Sequence, residues 1–215
     1  MFMDPTAYEA WYHTPRGAWI GRTEFTLLMK LLHPASGGTL LDVGCGTGYF
    51  SRRFSEAGLH VTGIDMDAAM LALAVSHNGN IRYLRGSTLH LPFDDHSFDN
   101  VSAITSLCFV DPALQAIKEM WRVSRHAVVL GLLNRSSLLY HAKHDRGSYA
   151  GARWDSASEV KQWLAPLAPT MDIEIRSAIF VPSGNLIARS VEQCLPNRLP
   201  YGGFLAVNIQ RAIRA

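Results

Sequence analysis

From residue 39 onward, short apolar runs alternate with stretches of helical periodicity. "TLLDV" (39–43) reads as a buried strand, and the helix after it carries Phe50 and Phe54 on one face and ends at Gly58. "HVTGI" (60–64) is the next strand. Asp67 caps the helix "AAMLALAV", and "IRYL" (81–84) follows as a third strand. "FDNVSAI" (98–104) makes a fourth. Asp111 then reads as N-cap with Pro112 at the first helical position of "ALQAIKEMWRV", and "AVVLGLL" (127–133) is the fifth strand. Strand and helix alternating in this way imply right-handed crossovers and a parallel sheet covered on both faces. The last third is less regular: "SASEVKQWL" and "LIARSVEQCL" read as helices, "MDIEIRSAIF" as a strand and "GGFLAVNIQRAI" as a closing strand. That order suits a final hairpin on the edge of the sheet. Ahead of the alternation, residues 3–33 read as two short helices separated by "TPRG". The second carries an apolar stripe of Trp19, Ile20, Phe25, Leu27, Leu28, Leu31 and Leu32, stopped by Pro34 and "SGG".

Composition narrows the class. A chain of 215 residues with 48% hydrophobic and 18% charged positions suits one globular domain. Its 20 basic and 18 acidic residues leave a formal charge of +2, too balanced to argue for a nucleic-acid or membrane surface. No charged segment followed by an apolar one marks a leader, and no apolar run is long enough to cross a bilayer. Cys45, Cys108 and Cys194 are scattered and odd in number, fitting neither a disulfide framework nor a zinc site. A reducing, cytoplasmic setting is the expectation.

Chemistry concentrates at "LLDVGCGTGYF" (40–50). Glycines between a strand end and a helix start let a ligand lie against bare amides at the positive end of the helix. Asp65 stands 21 residues after Gly44, directly after the second strand, where an acid reaches the two hydroxyls of a ribose. The loop is not the dinucleotide pattern GxGxxG, and no "GK[ST]" is present to hold a triphosphate. Asp42 at the strand end repels a pyrophosphate and attracts a cation. A positively charged adenosine derivative satisfies all three points.

These residues resemble the class I S-adenosylmethionine-dependent methyltransferases of the small type-11 kind. "LLDVGCGTGYF" is similar to their first motif, "VTGIDMD" to the second, and "LPFDDHSFDNV" to the approach to the fourth strand, a likeness covering about residues 38–133. The resemblance implies a Rossmann-like α/β fold: a seven-stranded, mostly parallel sheet, helices on both faces and an antiparallel C-terminal edge strand. One domain over 1–215 is expected, with 1–37 as a helical cap, 38–133 as the cofactor-binding core and 134–215 as the substrate-side connection and sheet edge. It also implies that Asp42, Gly44, Cys45 and Gly46 line the methionine part of S-adenosylmethionine, that Asp65 holds the ribose and that Met66 packs on the adenine. "RGSTLHLPF", with Ser87, Thr88 and Leu89, would wrap the base, Ser87 standing where the family often has an acid.

The sulfonium makes its own methyl electrophilic, so the protein's part is alignment and exclusion of water. "ITSLCFV" lacks the Asn/Asp-Pro-Pro-aromatic run and the Pro-Cys pair that related enzymes use on nucleobases, and Cys108 reads as a core cysteine. Two segments are expected to face a small-molecule acceptor. One is the aromatic N-terminus, with Tyr8, Trp11 and Arg16. The other is the connection after the fifth strand, with Asn134 and Arg135. Tyr140, His141 and His144 are candidates for a general base; without a third ligand at a recognisable spacing the histidines do not suggest a metal. Lys143, Arg146 and Arg153 suggest an acidic group on the acceptor. Transfer to a protein or RNA with a partner subunit is the nearest rival, and a cofactor-binding module without catalysis the second.

Overall fold

The computed structural model describes residues 4–77, 79–166 and 171–211. Five parallel strands, β1 (Thr39–Val43), β2 (His60–Asp65), β3 (Arg82–Arg85), β4 (Phe98–Ile104) and β5 (Ser124–Leu133), are joined by β6 (Met171–Ala178) and β7 (Phe204–Arg211). Their order is β3-β2-β1-β4-β5-β7-β6, with β7 antiparallel to both neighbours. The C-terminal strand thus slots between β5 and β6, and β6 takes the outermost place. β1, β4 and β5 lie at the centre and are almost wholly buried, which is why they read as continuous apolar runs. The last two residues expected in the closing strand, 212 and 213, lie outside the described residues.

α1 (Pro5–Tyr12), α2 (Pro15–Leu32), α3 (Tyr49–Glu56) and α8 (Leu186–Cys194) supply one buried face, packing Leu28, Phe50, Phe54 and Ala188 against the sheet. α4 (Ala68–Ser76) borders α1 on that side. α5 (Ala113–Val123) and α7 (Ala157–Leu164) cover the other face through Ile117, Met120, Val160 and Leu164.

Two boundaries differ from the sequence reading. α2 runs 18 residues and takes Pro15, Arg16 and Gly17 into its first turn. Thr14 is its cap, accepting from the Gly17 amide at 3.0 Å, and proline is pre-set for the first helical position. Gly17 has no room for a β-carbon, because the Trp11 carbonyl lies there. α5 begins at Ala113, so Asp111 is not its cap. Pro112 is still extended (φ −82°, ψ 123°), and helical angles start only after it.

Candidate functional site

The turn after β1 folds back on β2: the amides of Gly44 and Cys45 both donate to the Ile64 carbonyl, at 2.7 and 3.1 Å. Gly44, Gly46 and Gly48 have φ of 70°, 53° and 76°, conformations that favour glycine. The space beside them differs. A β-carbon on Gly44 would overlap the Ser106 side chain, and one on Gly48 the Tyr83 hydroxyl, whereas at Gly46 nothing lies within 4 Å. Gly44 and Gly48 thus admit neighbouring protein side chains, and of the three Gly46 presents an open face.

Asp65 closes the loop's mouth. Its Oδ2 accepts from the Gly46 amide at 2.8 Å and its Oδ1 from the Asp67 amide at 2.9 Å, leaving a lone pair on each oxygen. Asp42 lies beneath the loop, 2% exposed, with Oδ2 accepting from Ser51 at 2.6 Å and Oδ1 from Ser102 at 2.8 Å. Burial pushes its carboxyl up to about 6 against the pull of those two hydroxyls. Asp42 thus acts on the crevice through its field, from under the backbone. Burial, reinforced by Asp42 and Asp65, raises the Cys45 thiol far above its ordinary range, so Cys45 is no nucleophile. Met66 is 71% exposed just beyond Asp65. Ser87 is exposed and its hydroxyl accepts from the Leu89 amide at 3.2 Å, while Thr88 and Leu89 are half-buried. The fit to a cationic adenosine derivative rests on three features: the open Gly46 face, the spare Asp65 lone pairs and the buried anion below.

The N-terminal helices border this crevice and hold two acids that sequence reasoning passed over, of which Glu9 ties the cap to the loop. Glu9, buried in α1, accepts from Thr47 Oγ1 at 2.5 Å and pairs with Arg52, whose other guanidinium nitrogen donates to the Thr47 carbonyl at 2.8 Å. The cap is thereby latched onto the glycine loop. Nothing local signals it, since its partners are 38 and 43 residues away. Glu24 did leave a signal: it occupies the apolar stripe of α2, four residues after Ile20, and is 8% exposed. Burial alone pushes its carboxyl up to about 8. Tyr12 stacks on Tyr49 (3.7 Å between centroids, 12° between planes), and the Tyr8 and Tyr12 hydroxyls meet at 3.2 Å. Trp11 packs edge-on to Tyr12. Arg16 Nε donates to the Pro182 carbonyl at 2.6 Å, tying α2 to the segment after β6.

Across the crevice, Thr105 ends β4 at φ 52°, an outlier for a β-branched residue, and its amide donates to the Gly131 carbonyl at 2.8 Å. Cys108 is 4% exposed, its thiol pushed up to about 12 by burial, as a core cysteine. Two residues expected at the substrate have partners within the protein. Asn134 is fully buried and donates its amide to the Pro200 and Gly202 carbonyls at 2.8 and 2.7 Å, anchoring the end of β5. Arg135 donates to the Trp154 carbonyl and to Glu159. Tyr140 packs on His144 and Trp154 in α6 (Leu138–Lys143) and the turn after it; His141 and His144 are exposed. Arg153 pairs with Asp155 at 2.9 Å, leaving Lys143 and Arg146 as the exposed cations of that segment. Among the described residues no cluster of His, Cys, Asp and Glu has metal-binding geometry. No described helix is long and apolar enough to cross a membrane.

Residues 41–130 match the model of a family described as "Methyltransferase domain". The chain is 36% identical over 115 residues to a malonyl-[acyl-carrier protein] O-methyltransferase of Pectobacterium atrosepticum, covering 54% of this chain and 46% of that one. It is 37% identical over 115 residues to a demethylmenaquinone methyltransferase of Staphylococcus haemolyticus, covering 51% and 48%. The chain therefore spans about half the length of the curated relatives it matches. Among solved structures, an S-adenosylmethionine-dependent methyltransferase of Thermotoga maritima, described as a possible histamine N-methyltransferase, superposes with a TM-score of 0.74 at 23% identity over 96% of both chains. One from Mesorhizobium loti gives 0.66 at 20% identity, over 87% of this chain and 97% of that one. These likenesses give the fold. With the sequence matches, residues 41–130 resemble a methyltransferase domain.

Proposed function

We propose that this methyltransferase domain transfers a methyl group from S-adenosylmethionine to a small-molecule acceptor. The observation that carries the reading is Asp65 clasping the Gly46 amide at the one loop glycine with an open face. The cofactor supplies an electrophilic methyl on a cationic sulfur. The chain's residues do the rest. Asp65 holds the ribose with its free lone pairs, Met66 covers the adenine, and the buried Asp42 supports positive charge at the loop. Ser87, Thr88 and Leu89 line the base. Tyr8, Trp11 and Arg16, on helices latched to the loop through Glu9, close the crevice against water.

Acceptor choice belongs to the elements outside the matched half. The relatives carry two different acceptors in their names at similar identity, as expected if the shared half serves the cofactor. Residues 1–37 act as the cap, 38–133 as the cofactor core and 134–215 as the acceptor side. A small acceptor is favoured over a macromolecule by the aromatic side chains of the N-terminal helices. The test is calorimetry with S-adenosylmethionine on the protein and on Asp65→Ala. Two charge-assisted bonds of about 1.5–3 kcal/mol each predict a loss of roughly a hundredfold or more; equal affinity would refute the ribose assignment. Methyl-labelled cofactor incubated with a size-fractionated extract should label the low-mass fraction, and label confined to macromolecules would refute the small acceptor.

A further inference from the structure

A cavity of about 360 Å³ opens at the edge of the sheet away from the glycine loop, bounded by α7, the later half of β6, the start of β7 and the segment between α8 and β7. β6 is parallel to β5, since both run antiparallel to β7, so Ile175 and Arg176 lie toward the same end of the sheet as the glycine loop. Four strand spacings, about 19 Å, separate β6 from β1. No residue assigned above to the cofactor lines this cavity.

Three cations line it, Lys161, Arg176 and Arg198, and no Asp or Glu does. Among the described residues Arg176 pairs with Glu174 and donates from another nitrogen to the Ile175 carbonyl at 2.9 Å, whereas Lys161 and Arg198 are exposed and have no acid partner. The one acid of α7, Glu159, is held by the Ser156 amide and Arg135, and residues 195–203 contain no acid. The wall that carries Arg198 is fixed. The Ser177 amide donates to the Asn197 carbonyl at 2.7 Å, the Ser177 hydroxyl to the Leu199 carbonyl and the Asn134 amide to the Pro200 carbonyl at 2.8 Å. Arg198 therefore projects from clamped backbone, and the cavity is formed before any ligand enters it. Ile175, Leu199 and Leu205 add apolar lining beside the cations.

We propose that this cavity is a second ligand site, separate from the methyl-transfer site, and that it takes the phosphate monoester of a small apolar molecule. Like charges gathered without acids repel one another, and an anion between them relieves that repulsion. A phosphate monoester is close to doubly charged at neutral pH and offers three strong acceptor oxygens, a match for three cations. A carboxylate brings one charge and two oxygens. The apolar lining takes the organic body, and the volume lies within the range of small-molecule pockets.

The probe is phenyl phosphate, titrated at low salt and about pH 7.5 into isotope-labelled protein and followed by amide chemical shifts. Saturable shifts should appear at residues 157–161, 175–176 and 198–199, with the Gly46 and Asp65 amides unmoved. Benzyl alcohol, the neutral match, should leave all of them in place. Benzoate and inorganic phosphate should each bind at least about tenfold more weakly, the scale of one charge-assisted contact or of a lost apolar body. Lys161→Gln combined with Arg198→Gln, at two exposed positions, should weaken phenyl phosphate about tenfold or more. Lys143→Gln combined with Arg146→Gln, exposed cations outside the cavity, should not. Absent or unsaturable shifts, or a Lys161→Gln, Arg198→Gln protein that binds as well as the wild type, overturn the site. Benzoate binding as tightly as phenyl phosphate overturns the phosphate, and inorganic phosphate doing so overturns the apolar body. The titration contains no cofactor, so a failure to bind S-adenosylmethionine would sink the methyl-transfer reading alone.

Discussion

A buried, unpartnered carboxylate is a stability liability, and Glu24→Gln measures it independently of any ligand. A glutamate raised from 4.5 to about 8 is harder to ionise in the native chain than in the unfolded one. At 1.36 kcal/mol per decade of proton affinity, the ionised form is destabilised by about 5 kcal/mol. Local relaxation and water entry lower that to about 3–5 kcal/mol. The sign follows from proton counting. Between pH 4.5 and 8 the native state binds more protons at this site than the unfolded state, so stability is full below the lower value and is lost as pH rises through the upper one. Asp42, pushed from 3.8 to about 6, adds a similar slope over a lower window, but it does so in both proteins and cancels in the difference. Urea unfolding of wild type and Glu24→Gln from about pH 4.5 to 9 is the assay. The stability difference should grow in favour of the variant across that range and level off above about pH 8. Parallel profiles would show that Glu24 is solvated or paired in solution, and the reasoning would fail.

The loop glycines should separate by what faces them. Gly44→Ala meets Ser106 and should cost about 2 kcal/mol or more in a denaturation midpoint; Gly46→Ala meets open space, costs about 1 kcal/mol of backbone strain and instead weakens S-adenosylmethionine in calorimetry. Arg52→Ala leaves Glu9 buried without its cation, at about 2–3 kcal/mol, so amide exchange in α1 should speed up roughly 30- to 140-fold while the sheet stays protected. Unchanged α1 protection would refute the latch. Asn134→Ala strips two buried carbonyls of their donor and should destabilise by about 2–4 kcal/mol with cofactor affinity unaltered; the reverse pattern would return Asn134 to the acceptor site.

Periodicity alone was enough for the alternation of strand and helix, because β1, β4 and β5 are buried on both faces and their neighbours show a clear helical stripe. The "GCGTG" turn and Asp65 were legible for the same reason: both lie on one β-α-β unit, so their spacing is written in consecutive residues. Local reading misjudged the start of α5, where backbone angles at Pro112 outweigh the capping preference of Asp111. A polar pair after a strand, such as Asn134 and Arg135, looks the same locally whether it serves substrate or a carbonyl 66 residues away.

The strand ends, the glycine turn and the acid that follows it could be read from consecutive residues. The long-range contacts came only with the folded chain. Glu9 meets Thr47 and Arg52, Gly44 packs against Ser106, and Arg16 meets the Pro182 carbonyl. Those contacts join segments tens to more than a hundred residues apart. No local pattern encodes them, because the free energy that brings them together is the burial of the whole sheet and its helices.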